Sequence, residues 1–174
     1  DEPEAEPKPN SPPISPILLF GASDFGLSGL PRWRAKRLKP RTSYARREAQ
    51  TRMEALEERS ERQFDTWARW FDQRLGWSFS LANRHLLSLV APDAGSRVLD
   101  VGCGTGILLQ QMHELDTGLR LFGVDISFQM LTSARAKLPG SVALHQGSAS
   151  SLPYCSDAFD YVTCATSFHH YSDP

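Results

Sequence analysis

Short apolar runs and helical stripes alternate along the chain after about residue 96. The runs at 97–101, 119–124, 142–146 and 159–165 have the length and composition of buried strands. Helical spacing fills 105–115, and Ser127 is a suitable N-cap for a helix in which Leu131, Ala134 and Leu138 align. Strands that alternate with helices are typical of a parallel sheet with right-handed crossovers. The pattern therefore predicts an α/β fold.

The preceding residues follow other patterns. Residues 1–42 are rich in Pro, Gly, Ser and charge, which predicts disorder. Apolar residues then recur at helical spacing from Met53 to Leu75, and Gly76 is expected to end this helix before a second one from Phe79 to Val90. The predicted organisation is a disordered segment at 1–42, a helical extension and cap at 43–92, and an α/β domain at 93–174.

Charge and cysteine content narrow the class of protein. The net charge of −1 gives no reason to expect nucleic acid as a partner. The basic stretch 32–47 has two interpretations, a solvated tail or a surface for peripheral contact with anionic membranes. Three cysteines without close pairing or metal-binding spacing predict no disulfide framework, no metal site and a reducing, cytoplasmic location. No apolar run reaches the about 18 residues that span a bilayer.

The segment 98–106 carries the strongest chemical signal. A buried strand leads into a loop with glycine at 102, 104 and 106, and a helix follows. Glycine lets the backbone approach a ligand closely, and the helix start adds free N–H groups. A dinucleotide loop needs its third glycine one position later, where Ile107 stands, and no Gly-Lys-Ser/Thr follows to make a P-loop. The loop is therefore predicted to hold a polar ligand of another kind.

Asp125 ends the second strand of the α/β region, about 20 residues after the glycine loop. Adjacent strands would bring its carboxylate beside the loop, where it could accept hydrogen bonds from both hydroxyls of a ribose. The alternative is that Asp125 helps to cap the helix that starts near Ser127.

Four segments together resemble the class I S-adenosylmethionine-dependent methyltransferases. Residues 98–106 resemble the first motif of the family, 121–125 its acidic strand, 146–154 its third-strand region, and 159–171 its fourth strand and exit. Their order and spacing match across about 64–174, with most similarity to the type 11 branch that includes ubiquinone and menaquinone biosynthesis enzymes. The resemblance implies a Rossmann-like parallel sheet and S-adenosyl-L-methionine as cofactor.

The resemblance also implies roles for residues. Asp100 and the loop at Gly102, Gly104 and Gly106 would hold the methionine part, and Cys103 within that loop is interpreted as a space-filling residue rather than a nucleophile. The remaining implied contacts are Asp125 on the ribose, and Ile126, Ser148 and Ala149 around the adenine.

The sequence departs from the family at two of these positions. Relatives commonly have Asp at position 148, and serine is a weaker, neutral partner for the adenine amino group. Phe71 stands where relatives often have Tyr, so one hydroxyl contact to the cofactor is missing. We expect reduced cofactor affinity rather than its loss.

Two further features near the predicted site have alternative interpretations. His169 could be a general base toward the acceptor, or it could position the loop after the fourth strand. The aromatic stripe at 64–71 could be packing or a lid over the cofactor.

The family fold has seven strands, and only four are predicted here. We therefore expect a domain truncated after its fourth strand, with an open, apolar strand edge. The favoured function is methyl transfer to a small-molecule acceptor. The alternatives are an inactive cofactor-binding or regulatory module, a nucleotide-dependent oxidoreductase and an interaction protein that acts through its basic helical segment.

Overall fold

The computed structural model describes residues 18–20 and 43–171, without the side chains of Leu18, Leu19, Phe20, Ala45, Leu89 and His169. Strands and helices alternate from residue 97 onward, as the sequence predicts. The elements are β1 (Leu18–Phe20), α1 (Ser43–Trp67), α2 (Phe71–Val90), β2 (Arg97–Val101), α3 (Ile107–Leu115), β3 (Arg120–Asp125), α4 (Phe128–Arg135), β4 (Ala143–Gln146), β5 (Tyr161–Ala165) and a 3-10 turn at Phe168–His170.

The strands form one parallel sheet in the order β1-β5-β2-β3-β4. The order places β2 between β3 and β5, so their carboxyl ends meet at one edge of the sheet. Ligands of open α/β folds bind at this edge. The glycine loop, Asp125 and the residues after β5 therefore converge there, and the prediction of a Rossmann-like parallel sheet is confirmed.

Two predictions, the disorder of residues 1–42 and an open edge on the outer side of β5, differ from the structure. Leu18–Phe20 forms β1 within the segment predicted to be disordered, and Leu18 pairs with Thr163 of β5. The edge predicted to be open is thus covered by a parallel strand. The physical reason is that β5 presents unpaired backbone groups, and a short apolar segment can satisfy them without a turn or bulge. The other residues of 1–42 lie outside the described residues.

The hydrophobic core lies between the sheet and helices α3 and α4. Leu109, Met112 and Ala134 are fully buried there, against Val98 and Leu121 of the central strands. Ser127 caps α4 as predicted, because its hydroxyl accepts the N–H of Met130 at 3.1 Å. This packing holds the ends of β2 and β3 in place beneath the site.

The helical segment differs from its prediction at Gly76. The break falls at 68–70, and Gly76 lies inside α2. Glycine costs about 1 kcal/mol inside a helix, and the packing of α2 on α3 overrides this cost. A Cβ at Gly76 would meet Ile107 of α3 at 3.8 Å. As a result α1 packs on α4 while α2 packs on α3, and the two helices, here called the helical cap, lie over the carboxyl edge. Among the described residues, no helix is long and apolar enough to cross a membrane.

Candidate functional site

The glycine loop turns sharply where β2 ends. The N–H groups of Gly102 and Cys103 both donate to the carbonyl oxygen of Val124, at 2.8 and 3.0 Å. Gly102 and Gly104 have φ values of +70° and +54°, a region that favours glycine. A Cβ at Gly102 would lie 2.5 Å from the Ser167 side chain, whereas a Cβ at Gly104 would meet nothing within 4 Å. Gly104 therefore faces open space where a ligand can approach the backbone.

Gly106 and Cys103 have other roles in this loop. The N–H of Gly106 donates to the carbonyl oxygen of Cys103 at 2.9 Å, and a Cβ at Gly106 would lie 2.7 Å from Leu138. Gly106 thus allows close packing beneath the loop. Burial, followed by the charges of Asp125 and Asp100, raises the pKa of the Cys103 thiol well above its usual range. Such a thiol is unreactive, as its interpretation as a space-filling residue requires.

Asp125 holds the loop and the start of the next helix together. Its Oδ2 accepts the N–H of Gly104 at 2.8 Å, and its Oδ1 accepts the N–H of Ser127 at 2.9 Å. Burial is the main cause that raises its pKa, and the two backbone hydrogen bonds oppose that shift. Since a carboxylate has about four acceptor positions, Asp125 can accept further hydrogen bonds from a ligand. Helix capping and ligand binding, which the sequence left as alternatives, are therefore compatible.

Asp100 lies deeper, at the end of β2. Its side chain is only 2% exposed, and its Oδ1 accepts the Thr163 hydroxyl at 2.9 Å. Burial raises its pKa to about 7, against the lowering effect of the Thr163 hydrogen bond. It lines a side cavity of about 50 Å³ that also contacts Gly102, Gly104 and Phe71. A cationic group in that cavity would favour the ionised carboxylate.

The main cleft lies between the sheet edge and the helical cap, and its cavity volume is about 270 Å³. The sheet side presents backbone groups together with polar and apolar side chains, and the cap side presents mainly aromatic and aliphatic side chains, with Glu57 and Ser60 as its polar residues. The sheet side comprises Gly102, Gly104, Asp125, Ile126, Met130, residues 147–150, residues 165–167, His170 and Tyr171, and the cap side comprises Glu57, Ser60, Phe64, Trp67, Phe71, Leu75 and Phe79.

Carboxylates attach the helical cap to the sheet edge. Asp65 of α1 accepts the Ser127 hydroxyl at 2.6 Å and the Gln129 N–H at 3.1 Å. Asp72 of α2 accepts the Thr105 hydroxyl and pairs with Lys137. The cap is thus joined to the groups that flank the glycine loop and Asp125.

The loop after β4 is joined to α1 in a similar way. Ser148 Oγ and Ser150 Oγ donate to Glu57 Oε1, at 2.6 and 2.8 Å. Ile126 and Ala149 line the cleft beside them. The predicted residues Ile126, Ser148 and Ala149 therefore share one end of the cleft.

The segment after β5 closes the cleft. The Tyr171 hydroxyl donates to the carbonyl oxygen of Val101 at 2.9 Å, while the His170 ring packs edge-on against Phe64 at 4.9 Å. His169 belongs to the 3-10 turn, but its side chain lies outside the described residues, and His170 is the histidine that lines the cleft.

The sequence predicts most of the residues that line the sheet side of the cleft, but it does not predict some of those on the cap side. Of the predicted residues, Asp100 and Cys103 line the side cavity but not the main cleft, and Gly106 lines neither of them. Glu57, Met130 and Tyr171 line the cleft without having been predicted. Glu57 gave no signal, because α1 carries many similar acidic residues. Within the described part of the chain, no group of three or more His, Cys, Asp or Glu side chains could hold a metal ion.

Comparison with known proteins shows which family this geometry resembles. The methyltransferase domain family matches residues 98–174. The chain is 39% identical over 80 residues to a demethylmenaquinone methyltransferase of Deinococcus radiodurans, covering 44% of this chain and 33% of the relative. It is 40% identical over 85 residues to a ubiquinone biosynthesis O-methyltransferase of Aromatoleum aromaticum, and this match covers 47% of this chain and 36% of the relative. The chain thus spans about a third of the length of these two relatives.

A solved structure supports the same fold. It is one chain of the complex between the Haloferax volcanii Trm112 methyltransferase activator and a protein named as a methyltransferase. The match has a TM-score of 0.55 and 28% identity, and it covers 58% of this chain and 46% of that one. In its parallel sheet, glycine loop and acidic second strand, the α/β region of this chain is similar to the methyltransferase domain family, whose match spans residues 98–174.

Proposed function

We propose that the chain binds S-adenosylmethionine in the main cleft and serves methyl transfer to a small-molecule acceptor. The observation that carries this proposal is the pairing of Asp125 with the glycine loop. A backbone turn open to a ligand at Gly104 lies directly beside a buried carboxylate that has acceptor positions left. The similarity of residues 98–174 to the methyltransferase domain family supports this chemistry.

The residues at the sheet edge fit this cofactor. Asp125 would accept the ribose hydroxyls, and Gly102 and Gly104 would allow the chain of the amino acid part to lie against the backbone. Asp100 would face the ammonium group from the side cavity, where a positive charge offsets the cost of ionising a buried carboxyl. The bound cofactor supplies an electrophilic methyl group on a sulfonium.

The cap side favours an acceptor with a flat, apolar body. Phe71 and Phe79 are stacked at 5.2 Å between ring centroids, and Phe64 and Trp67 meet edge-on at 5.5 Å. All four rings line the cleft. They would exclude water and orient the acceptor, and these are the main contributions that a protein makes to methyl transfer. The two quinone-pathway relatives, named above, support an acceptor of this kind.

The place of the reaction in the cell is a further proposal. The three cysteines are free, which suits the reducing environment of the cytoplasm. The basic stretch 32–47 would offer peripheral contact with an anionic membrane surface. Of that stretch, only its last residues, from Ser43 in α1, are among the described residues.

The direct test is calorimetric titration of the chain with S-adenosylhomocysteine, followed by methyl transfer from labelled S-adenosylmethionine to fractions of a cell extract. Saturable one-to-one binding together with label in a small-molecule fraction is the expected result. Binding without transfer to any fraction would support the inactive, regulatory module instead. Absence of binding, with binding of NAD, would contradict the proposal and favour the oxidoreductase alternative.

A further inference from the structure

One end of the cleft carries a carboxylate that comes from α1 rather than from the sheet. Glu57 Oε1 accepts the hydroxyls of Ser148 and Ser150, at 2.6 and 2.8 Å. Glu57 is partly buried and lines the cleft, whereas its neighbours Glu54 and Glu58 on the same helix are exposed. The helix therefore places one particular carboxylate at the loop after β4.

The topology indicates which part of the ligand reaches this end, if the proposed function holds. Asp125 pairs with Gln146 in the register of β3 and β4, so the loop 147–150 is the next feature along the sheet edge after Asp125. The glycine loop lies on the opposite side of Asp125, at the end of β2. With the ribose on Asp125 and the amino acid part on the glycine loop, the base extends toward Ile126, Ala149 and Glu57.

Ser148 and Glu57 differ in the hydrogen bonds that they can offer to a ligand. The Ser148 hydroxyl donates its hydrogen to Glu57 and accepts the N–H of Ser150 at 3.0 Å. The carboxylate of Glu57 only accepts, it carries a charge, and it has about four acceptor positions. A hydrogen bond to an ionised acceptor is roughly twice as strong as a neutral one. Adenine differs from unsubstituted purine by an exocyclic amino group that donates such bonds.

We propose that Glu57 accepts the hydrogen bond of the adenine amino group, and so supplies from α1 the specificity for the base. The two serines orient the carboxylate by donating to one of its oxygens. Ile126, Met130 and Ala149 provide apolar surface for the ring. Recognition of the base then requires α1 to be docked on the sheet edge, so binding of the cofactor and docking of the helical cap are linked.

The test compares two ligands, S-adenosylhomocysteine and its analogue with purine in place of adenine. Calorimetry gives the ratio of their dissociation constants for the unaltered chain and for Glu57→Ala. The unaltered chain should prefer the adenine ligand by about tenfold to a hundredfold, the range for one hydrogen bond to a charged acceptor. In Glu57→Ala the ratio should fall to about two or less, while the affinity for the purine analogue changes by less than about threefold.

Two further variants complete the design. Glu57→Gln keeps an acceptor oxygen without the charge, so its ratio should lie between those of the unaltered chain and Glu57→Ala. Glu57→Gln also tests the proposal if the Glu57→Ala variant does not fold. Glu58→Ala removes an exposed carboxylate that pairs with Arg62 at 3.5 Å, and it should keep the full ratio.

The outcomes separate this inference from the proposed function. A ratio that is unchanged in Glu57→Ala, or close to one in the unaltered chain, would overturn the role of Glu57 while leaving the cleft as the cofactor site. An equal loss of affinity for both ligands would likewise overturn it, because it would make Glu57 a support for α1 only. If the unaltered chain bound neither ligand, the proposed function would fail together with this inference.

Discussion

The two walls of the cleft are built on different physical principles. The sheet side rests on Leu99, Val101 and Val124, which are nearly or fully buried, and its polar groups are positioned by backbone hydrogen bonds. On the cap side, carboxylates of α1 and α2 bind the helices to the sheet edge, and α2 is also anchored by Leu86 and Leu87 in the hydrophobic core. A group on the first wall moves only if the core moves, whereas α1, whose described side chains are exposed or half-buried, is joined to the sheet edge largely by hydrogen bonds. The sheet side is therefore expected to be the more rigid wall, and α1 the part of the cap that separates most easily.

The largest expected effect comes from removing the acidic group of the sheet side. Asp125→Ala should weaken binding of S-adenosylhomocysteine by about a thousandfold, since two hydrogen bonds to a charged acceptor disappear and the N–H groups of Gly104 and Ser127 lose their partner. Calorimetry measures the affinity. Asp157→Ala, an exposed position in the same domain, is the control for ligand affinity. Equal affinities in both variants would show that Asp125 does not contact the ligand.

The two loop glycines sharpen the distinction between scaffold and ligand contact. Gly102→Ala should lower the free energy of unfolding by about 3 kcal/mol, because its Cβ would overlap Ser167 at a strained φ. Gly104→Ala should cost only about 1 kcal/mol from strain, yet weaken cofactor binding, because its Cβ would enter the open side of the loop. Denaturant unfolding and calorimetry measure the two quantities. The reverse order of stabilities would refute this assignment.

The buried Asp100 makes stability depend on pH. Well below its ordinary pKa of 3.8, the carboxyl is protonated in both states. Between that value and about 7 the unfolded carboxyl is ionised while the folded one keeps its proton, so the folded state binds more protons. The free energy of unfolding should therefore fall by about 2 kcal/mol from pH 5 to pH 7 through this group.

Urea unfolding at several pH values measures this dependence. Asp100→Asn should remove the part of the slope that comes from Asp100, because the amide does not titrate. An identical slope in the variant would mean that Asp100 is ionised in the folded chain throughout this range.

The smallest expected effect concerns the attachment of the cap. Asp65→Asn removes the charge that accepts from Ser127 and Gln129, and it should destabilise the docked helix by about 1 kcal/mol. Amide hydrogen exchange should rise in α1 while β2 and β3 stay protected. Glu58→Gln, which alters an exposed pair within α1, should change the free energy of exchange by less than about 0.5 kcal/mol. Faster exchange in the strands as well would show that cap and core unfold together.

The sequence predicts the sheet side of this molecule far better than the cap side. Strand and helix periodicity indicate β2 to β5, and the spacing from the glycine loop to Asp125 brings those residues together because adjacent parallel strands end at one edge. The contacts of Glu57, Asp65 and Asp72 join residues far apart in the chain, and no local pattern encodes them.

The structure differs from the prediction at Gly76 and at β1 for the same reason, because contacts between distant parts of the chain decide both features. The helix continues through Gly76 because tertiary packing on α3 outweighs an intrinsic preference. The pairing of Leu18 with Thr163 depends on an edge that only the folded sheet creates. In both cases the deciding partner is distant in sequence.

Amide hydrogen exchange with and without S-adenosylhomocysteine tests the central claim most directly, because it locates the bound ligand on the chain. Protection should increase in peptides that contain Gly102 to Gly104, Asp125 to Ser127 and Ser148 to Ser150, and also across residues 57–71 of the cap. Saturable binding that leaves the peptides of the glycine loop and Asp125 unchanged would contradict the placement of the cofactor in this cleft.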